Sequence, residues 1–166
     1  MSTDIARIRL LVLDVDGVLT DGRLYYGPRG EALKVFHARD GAGLQQLRAA
    51  GLVAAVISGR RSPMTRRRCR ELGIRHVIQG VADKQAALQR LCARLAIEPA
   101  ECACIGDDTP DVPMMRTAGL AFAVADAHEA ARRAAHVVTV LPGGCGAVRE
   151  VCDRLLAARL ETASTA

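Results

Sequence analysis

Aromatic residues make up only 2% of this 166-residue chain: two Tyr, two Phe and no Trp. Proteins that grip single-stranded nucleic acid interleave aromatic faces with positive charge, so the net charge of +5 does not point to nucleic acid. The basic residues are dispersed except around Arg60 to Arg70, and a small anionic substrate accounts for the charge as well. The chain also lacks any apolar run approaching the ~20 residues that cross a bilayer. Asp4, Arg7 and Arg9 break up its N-terminus, and together these absences predict a soluble, unexported protein with no membrane partner. The cysteines at 69, 92, 102, 104, 145 and 152 lack the paired spacing of zinc ligands and sit mostly within apolar periodic segments, where a free thiol acts as a small hydrophobe. Such usage fits a reducing cytoplasm. With no linker-like stretch and no internal repeat, residues 1–166 are expected to form a single domain around one sizeable core.

What the chain does have is an alternation of strand-length apolar runs with segments of helical period, the pattern of an α/β protein with a parallel sheet and flanking crossover helices. Strands are expected at Arg9 to Asp14, Leu52 to Ile57, Val77-Ile78, Cys102 to Ile105, Leu120 to Val124 and Val137 to Val140. Between them fall helices carrying Leu44 and Leu47, then Pro63, then Leu88, Leu91 and Leu95, then Asp111 to Thr117, with a short helix after Ala125 and a last one from Ala147. One insertion breaks the rhythm after the first strand. Residues 22–36 read as two short strands around Gly27-Pro28-Arg29-Gly30, a β-hairpin that either covers the adjoining loop or packs on the surface.

Open α/β sheets bind ligands beyond the carboxyl ends of their strands, and polar residues gather there in this chain. Asp14 and Asp16 stand two residues apart where the first strand runs out into Gly17, so that one carboxylate can attack an electrophile or hold a cation while the other serves as acid or base. Ser58-Gly59-Arg60 follows the second strand, a hydroxyl with adjacent backbone N–H groups suited to phosphoryl oxygens. Lys84 follows the third strand, where it can pair with a nucleophilic carboxylate or stand in solvent. Asp107, Asp108 and Asp111 follow the fourth; three carboxylates this close repel one another unless a cation compensates, and oxygen ligands without His or Cys point to Mg²⁺.

This order of loops, DxD, Ser, Lys and GDDxxxD, resembles the haloacid dehalogenase-like phosphotransferases over nearly the whole chain. The narrower resemblance is to the capless phosphatases of 3-deoxy-D-manno-octulosonate 8-phosphate (KDO 8-phosphate), which act in lipopolysaccharide precursor synthesis. It is carried by Asp14 to Gly22, Phe36 to Gly41, Ser58-Gly59-Arg60, Gly106-Asp107-Asp108, Ala123 to Ala127 and Gly143 to Glu150. The resemblance implies a Rossmann-like sheet without a cap domain. It implies Asp14 as nucleophile, forming an aspartyl-phosphate, and Asp16 as the acid that protonates the leaving alcohol and then the base that activates water. Mg²⁺ would lie between the Asp14 carboxylate, the Asp16 backbone carbonyl and the Asp107 carboxylate, with Asp108 and Asp111 supporting these ligands or orienting Lys84. Ser58 and Lys84 would bind the phosphoryl group. The resemblance further implies a homotetramer whose hairpins, here residues 22–36, form a shared barrel and whose neighbouring subunits help to cap each site.

The tail, residues 143–166, begins with glycines around Cys145, a position where the family commonly carries Lys or Arg. Arg149 is then a candidate partner for a substrate carboxylate, as are Arg60, beside Gly59 in the phosphoryl loop, and Arg68; the plain alternative for each is a solvated charge. His37 is assigned surface or subunit contact rather than catalysis, and His76, His128 and His136 structural roles. Three other readings stand beside the eight-carbon phosphatase. A receiver domain would place its phosphorylated Asp after the third strand and its Lys after the fifth, an order that differs from this chain. A non-catalytic assembly module is disfavoured by the joint presence of Asp14, Asp16 and Lys84. A phosphatase of 2-keto-3-deoxynononate 9-phosphate shares the core motifs.

Overall fold

Leu10–Leu13 form β1, and all four are sealed from solvent, the pattern of a strand covered on both faces. The structure, a computed structural model, describes residues 5–164. Around β1 lie β4 (Val53–Ser58), β5 (His76–Gln79), β6 (Cys102–Gly106), β7 (Leu120–Ala123) and β8 (Val137–Val138), following the hairpin strands β2 (Tyr25–Gly27) and β3 (Gly30–Leu33). The six sheet strands run in the order β5-β4-β1-β6-β7-β8, all neighbours parallel. The chain builds outward from β1 to β4 and β5, then returns to β6 on the other side of β1. That reversal between β1 and β6 is the switch point at which open α/β sheets leave a crevice for ligands.

The helices are α1 (Ala38–Ala49), α2 (Pro63–Glu71), α3 (Lys84–Leu95), α4 (Val112–Thr117), α5 (Glu129–Ala134) and α6 (Ala147–Ser164). Right-handed crossovers place helices on both faces: α6 packs along α1 on one, and α3, α4 and α5 follow one another on the other. With so few aromatics, the core is aliphatic and sulfur-rich. Phe122 is fully buried among Leu11, Leu13, Leu88, Leu91, Ile105 and Met114, and Cys69, Cys92, Cys102, Cys104 and Cys152 are buried free thiols. Burial pushes the Cys69 thiol up to about 11 and that of Cys152 to about 12, which keeps both protonated and inert. Cys145 is exposed.

Local signals set the ends of the helices. Pro63 opens α2 and Gly73 follows its end with positive φ, while Asp83 caps α3 by accepting from Ala86 N–H. β8 is shorter than its expected span of 137–140. The Glu150 carboxylate, in the first turn of α6, accepts the N–H groups of Val140 and Leu141 at 2.9 and 3.3 Å and bends the chain away from the sheet after Thr139. Among the described residues no helix is long and apolar enough to cross a membrane.

Candidate active site

Four loops at the carboxyl end of the sheet converge on one point. Asp14 leaves β1 with its N–H donated to the Ile105 carbonyl of β6 at 3.1 Å, so that the end of β1 is tied to the strand beside it. Lys84, first residue of α3, reaches under the sheet end and donates to Asp14 at 2.8 Å and to Asp111 at 2.5 Å. All three side chains are buried. The other Asp111 oxygen accepts the N–H groups of Asp107 and Asp108 at 3.0 and 3.2 Å, so Asp111 spends its carboxylate on fixing Lys84 and the loop. Asp108 turns aside, its oxygen accepting from Thr109 N–H at 2.7 Å to start a single helical turn.

Asp107 completes the cluster: single carboxylate oxygens of Asp14, Asp107 and Asp111 lie within 4.8 Å of one another. Burial, then the charge of Asp111, pushes the Asp14 carboxyl up to about 6 despite Lys84; burial, then Asp14 and Asp111, pushes Asp107 up to about 8. Lys84 is held above its ordinary range: burial disfavours its charge, but Asp14 and Asp111 outweigh burial. One lysine thus leaves three crowded carboxylates under-compensated, and an all-oxygen donor set of this kind fits a small hard dication. Gly17, with φ +88°, makes room for it to be so: a Cβ there would stand 2.1 Å from an Asp107 oxygen. Between these residues Thr20 Oγ accepts the N–H groups of Gly17 and Gly22 at 3.3 and 3.2 Å and folds the loop into a tight turn.

Ser58 ends β4 inside the same rim, buried, its hydroxyl accepting the N–H of Arg60 at 3.3 Å. Asp16 stands on the open side, beyond the carboxylate cluster, and its side chain meets cations from two other elements: Lys34 and, at 3.7 Å, Arg60 Nε.

Comparison with known proteins agrees with this geometry. Residues 73–142 match the family model described as haloacid dehalogenase-like hydrolase. The 3-deoxy-D-manno-octulosonate 8-phosphate phosphatase KdsC of Yersinia pestis is 49% identical over 154 residues, 93% of this chain and 82% of that protein. The chain belongs to the KDO 8-phosphate phosphatase family of haloacid dehalogenase-like hydrolases. The crystal structure of the Moraxella catarrhalis member, in complex with magnesium ion, phosphate ion and a KDO molecule, superposes with a TM-score of 0.92 at 43% identity, covering 98% of this chain and 93% of that one. The cobalt-bound Haemophilus influenzae member gives a TM-score of 0.92 at 42% identity, covering 94% and 91%.

Not every residue singled out from the sequence joins the cluster. The Arg68 guanidinium lies against Gly41, where a Cβ would be 2.3 Å from it, and is 3.5 Å from Glu71. Arg149 donates its backbone N–H to Asp40 at 2.8 Å, while its guanidinium turns along α6 to Asp153, also at 2.8 Å. The start of the tail does reach the catalytic loop: Gly144 N–H donates to Val18 at 2.9 Å, and a Cβ on Gly143 would strike the Gly17 carbonyl oxygen at 1.7 Å. Residues 165 and 166 of the tail lie outside the described residues. His37 caps α1, His128 caps α5, and His136 accepts from Ala121 N–H at 2.9 Å.

Sequence reasoning missed three residues of this constellation. Lys34 and Glu31 come from the hairpin, and Asp40, buried near the start of α1, anchors the first turn of α6. Asp40 carried a signal in its place within the Phe36 to Gly41 segment. Lys34 and Glu31 carried none, being charged residues in an apparently exposed hairpin.

Proposed function

We propose that this protein hydrolyses 3-deoxy-D-manno-octulosonate 8-phosphate to KDO and inorganic phosphate, with Mg²⁺ as its metal, and so serves lipopolysaccharide precursor synthesis. The observation that carries the reading is Asp14, paired with Lys84 at 2.8 Å in a buried carboxylate cluster, with Asp16 free of that cluster two residues on. An Asp14 oxygen attacks phosphorus as the bond from phosphorus to the sugar oxygen breaks, and Asp16 gives its proton to that oxygen. Water then attacks the aspartyl-phosphate, Asp16 takes the proton, and phosphate leaves with Asp14 restored. Ser58, the N–H groups beside it and Lys84 hold the non-bridging oxygens throughout. The carboxylates of Asp14 and Asp107 and the main-chain carbonyl of Asp16 would hold Mg²⁺, which when bound offsets the charge of phosphate and carboxylates. Asp111 keeps Lys84 in place, and Asp108 sets the turn that presents Asp107. Gly59 and Arg60, beside Ser58, are the candidates best placed for the acid sugar, whereas Arg68 and Arg149 would have to leave Glu71 and Asp153 to reach it. The named relatives favour the eight-carbon over the nine-carbon acid sugar.

The hairpin supports a homotetramer. It exposes Leu24, Tyr25, Tyr26, Leu33 and Val35 together, an apolar face that hairpins of neighbouring copies bury against one another. Five buried free thiols and a phosphosugar substrate support a cytoplasmic reaction. The test is kcat/KM for phosphate release from KDO 8-phosphate, its nine-carbon analogue and simple sugar phosphates, with and without Mg²⁺. The expected result is a Mg²⁺-dependent preference for the eight-carbon substrate; a flat profile leaves a generalist phosphatase, and no turnover favours an assembly role.

A further inference from the structure

Lys34 is an unusual lysine: its side chain is only 3% exposed although Leu24, Tyr25, Tyr26, Leu33 and Val35 of the same hairpin face outward. A buried ammonium needs partners, and it has two, the Asp16 carboxylate and, at 3.3 Å, Glu31 Oε1. The same Glu31 oxygen accepts from Arg60 Nη2 at 3.4 Å, and Arg60 Nη2 also donates to the Tyr26 hydroxyl at 3.2 Å. Tyr26, Glu31 and Lys34 thus fasten the hairpin to Asp16 and to the Ser58 loop of their own chain. Lys34 engages one Asp16 oxygen, Oδ1; the other, Oδ2, is 3.7 Å from Arg60 Nε, too long for a hydrogen bond, and that Nε is buried with no hydrogen-bond partner. Oδ2 is therefore the oxygen left to exchange a proton with substrate.

We infer that Lys34 is a positioning residue for Asp16, and that the hairpin takes part in the chemistry of its own subunit by aiming the acid. The inference rests on the phosphatase reading, in which Asp16 protonates the sugar oxygen as its bond to phosphorus breaks. Among the described residues the hydrogen-bond donor to the Asp16 carboxylate is Lys34, with Arg60 Nε farther off at 3.7 Å. The lysine aims that carboxylate across 18 residues of sequence. Misaiming an acid harms only those reactions whose leaving group needs the proton. A sugar alkoxide needs it; p-nitrophenolate leaves without it.

The experiment compares kcat for KDO 8-phosphate and for p-nitrophenyl phosphate in wild type, Lys34→Met and Lys34→Arg, with Mg²⁺ present. The expected result for Lys34→Met is a loss on the order of 10²-fold with the sugar phosphate and less than about 5-fold with the aryl phosphate, with Lys34→Arg recovering much of the difference. Equal losses on both substrates, or no loss on either, overturn the inference, because a purely structural lysine cannot distinguish leaving groups. Wild-type turnover of KDO 8-phosphate separates the two layers: if it is absent, the phosphatase reading itself fails, whereas if it is present the substrate ratio judges Lys34 alone. Should Lys34→Met not fold, Glu31→Leu provides the second variant: it removes the carboxylate that Lys34 and Arg60 share and so loosens the hold of Lys34 on Asp16, and the same leaving-group asymmetry, at smaller size, is expected.

Discussion

The two aspartates proposed as nucleophile and acid, Asp14 and Asp16, are held in opposite ways. Asp14 is fixed from below, by a fully buried strand, by the backbone of β6 and by a lysine and an aspartate that are themselves buried. Asp16 is fixed from above, by a hairpin whose apolar residues are largely exposed and whose hold on the sheet is a set of long side chains. The nucleophile must not move, and the core supplies that rigidity. The acid must face leaving group and water in turn, and a tether of side chains, half open to solvent, leaves it room. The contrast separates what the sheet positions from what the hairpin positions, and it can be broken from either end.

The largest effect is expected at the rigid end. Asp14→Asn removes the attacking oxygen while keeping the size and most hydrogen bonds of the side chain. Turnover should fall by roughly 10⁴-fold or more for the sugar phosphate and the aryl phosphate alike, since every substrate needs the nucleophile. Phosphate release measured on both substrates checks this. Activity within about 10-fold of wild type, outside the range of a lost nucleophile, would sink the assignment of Asp14. Equal loss on both substrates at Asp14 beside unequal loss at Lys34 is the signature that divides the two regions.

The rigid region was also the legible one. Asp14, Ser58 and Asp107 stand at or just past the ends of apolar runs and Lys84 opens the helix after one, so the period of the sequence locates them near strand ends and the parallel topology does the rest. Contacts made by long side chains across the sequence leave no such trace. Lys34 lies between Leu33 and Val35 and reads as an outward residue of an edge hairpin; its burial depends on where the hairpin folds back, which no local pattern encodes. Arg149 shows the converse error source. Its place in the Gly143 to Glu150 motif suggested a side chain aimed at substrate, while in the structure the backbone N–H serves Asp40 and the guanidinium is taken by Asp153, one helical turn on. The end of β8 depended likewise on Glu150, ten residues away from Val140 in sequence.

A second, intermediate effect sharpens the comparison through pH. The carboxyls of Asp14 and Asp107, raised to about 6 and about 8 in the fold, both exceed their unfolded value of 3.8. A carboxyl raised on folding favours the native state below its unfolded pKa, and that contribution is lost as pH rises through the folded value. The metal-free protein should therefore lose thermal stability from about pH 4 to about pH 8, and Mg²⁺, which suits the ionised cluster, should restore more of it at the upper end. Thermal melts with and without Mg²⁺ across that range check this. A rise in Tm with Mg²⁺ on the order of 5 °C near the upper limit, shrinking towards the lower, is expected. Asp107→Asn should shrink that gain and remove the upper part of its pH dependence, leaving the part that follows Asp14, and an unchanged profile in the variant would remove Asp107 from the metal site.

The smallest effect belongs to the tether. Glu31 is shared between Lys34 and Arg60, at 3.3 and 3.4 Å, with Arg60 about two-fifths exposed. The pair with Arg60 is partly solvated, and such pairs contribute about 1 kcal/mol or less and weaken as salt rises, whereas the Lys34 end of the network, like the Asp14 and Lys84 pair, is shielded from ions by burial. Glu31→Gln should thus lower Tm by no more than a few degrees and reduce kcat for the sugar phosphate by about 5-fold or less. The more telling quantity is its salt dependence. In wild type, raising ionic strength from roughly 0.05 to 0.5 M should erode sugar phosphate turnover more than aryl phosphate turnover, because salt loosens the hairpin but not the nucleophile. In Glu31→Gln that difference should largely vanish, since the screened interaction is already gone. If wild type and variant respond to salt identically on both substrates, the hairpin does not aim Asp16 through this network, and the two aspartates are held by the sheet alone.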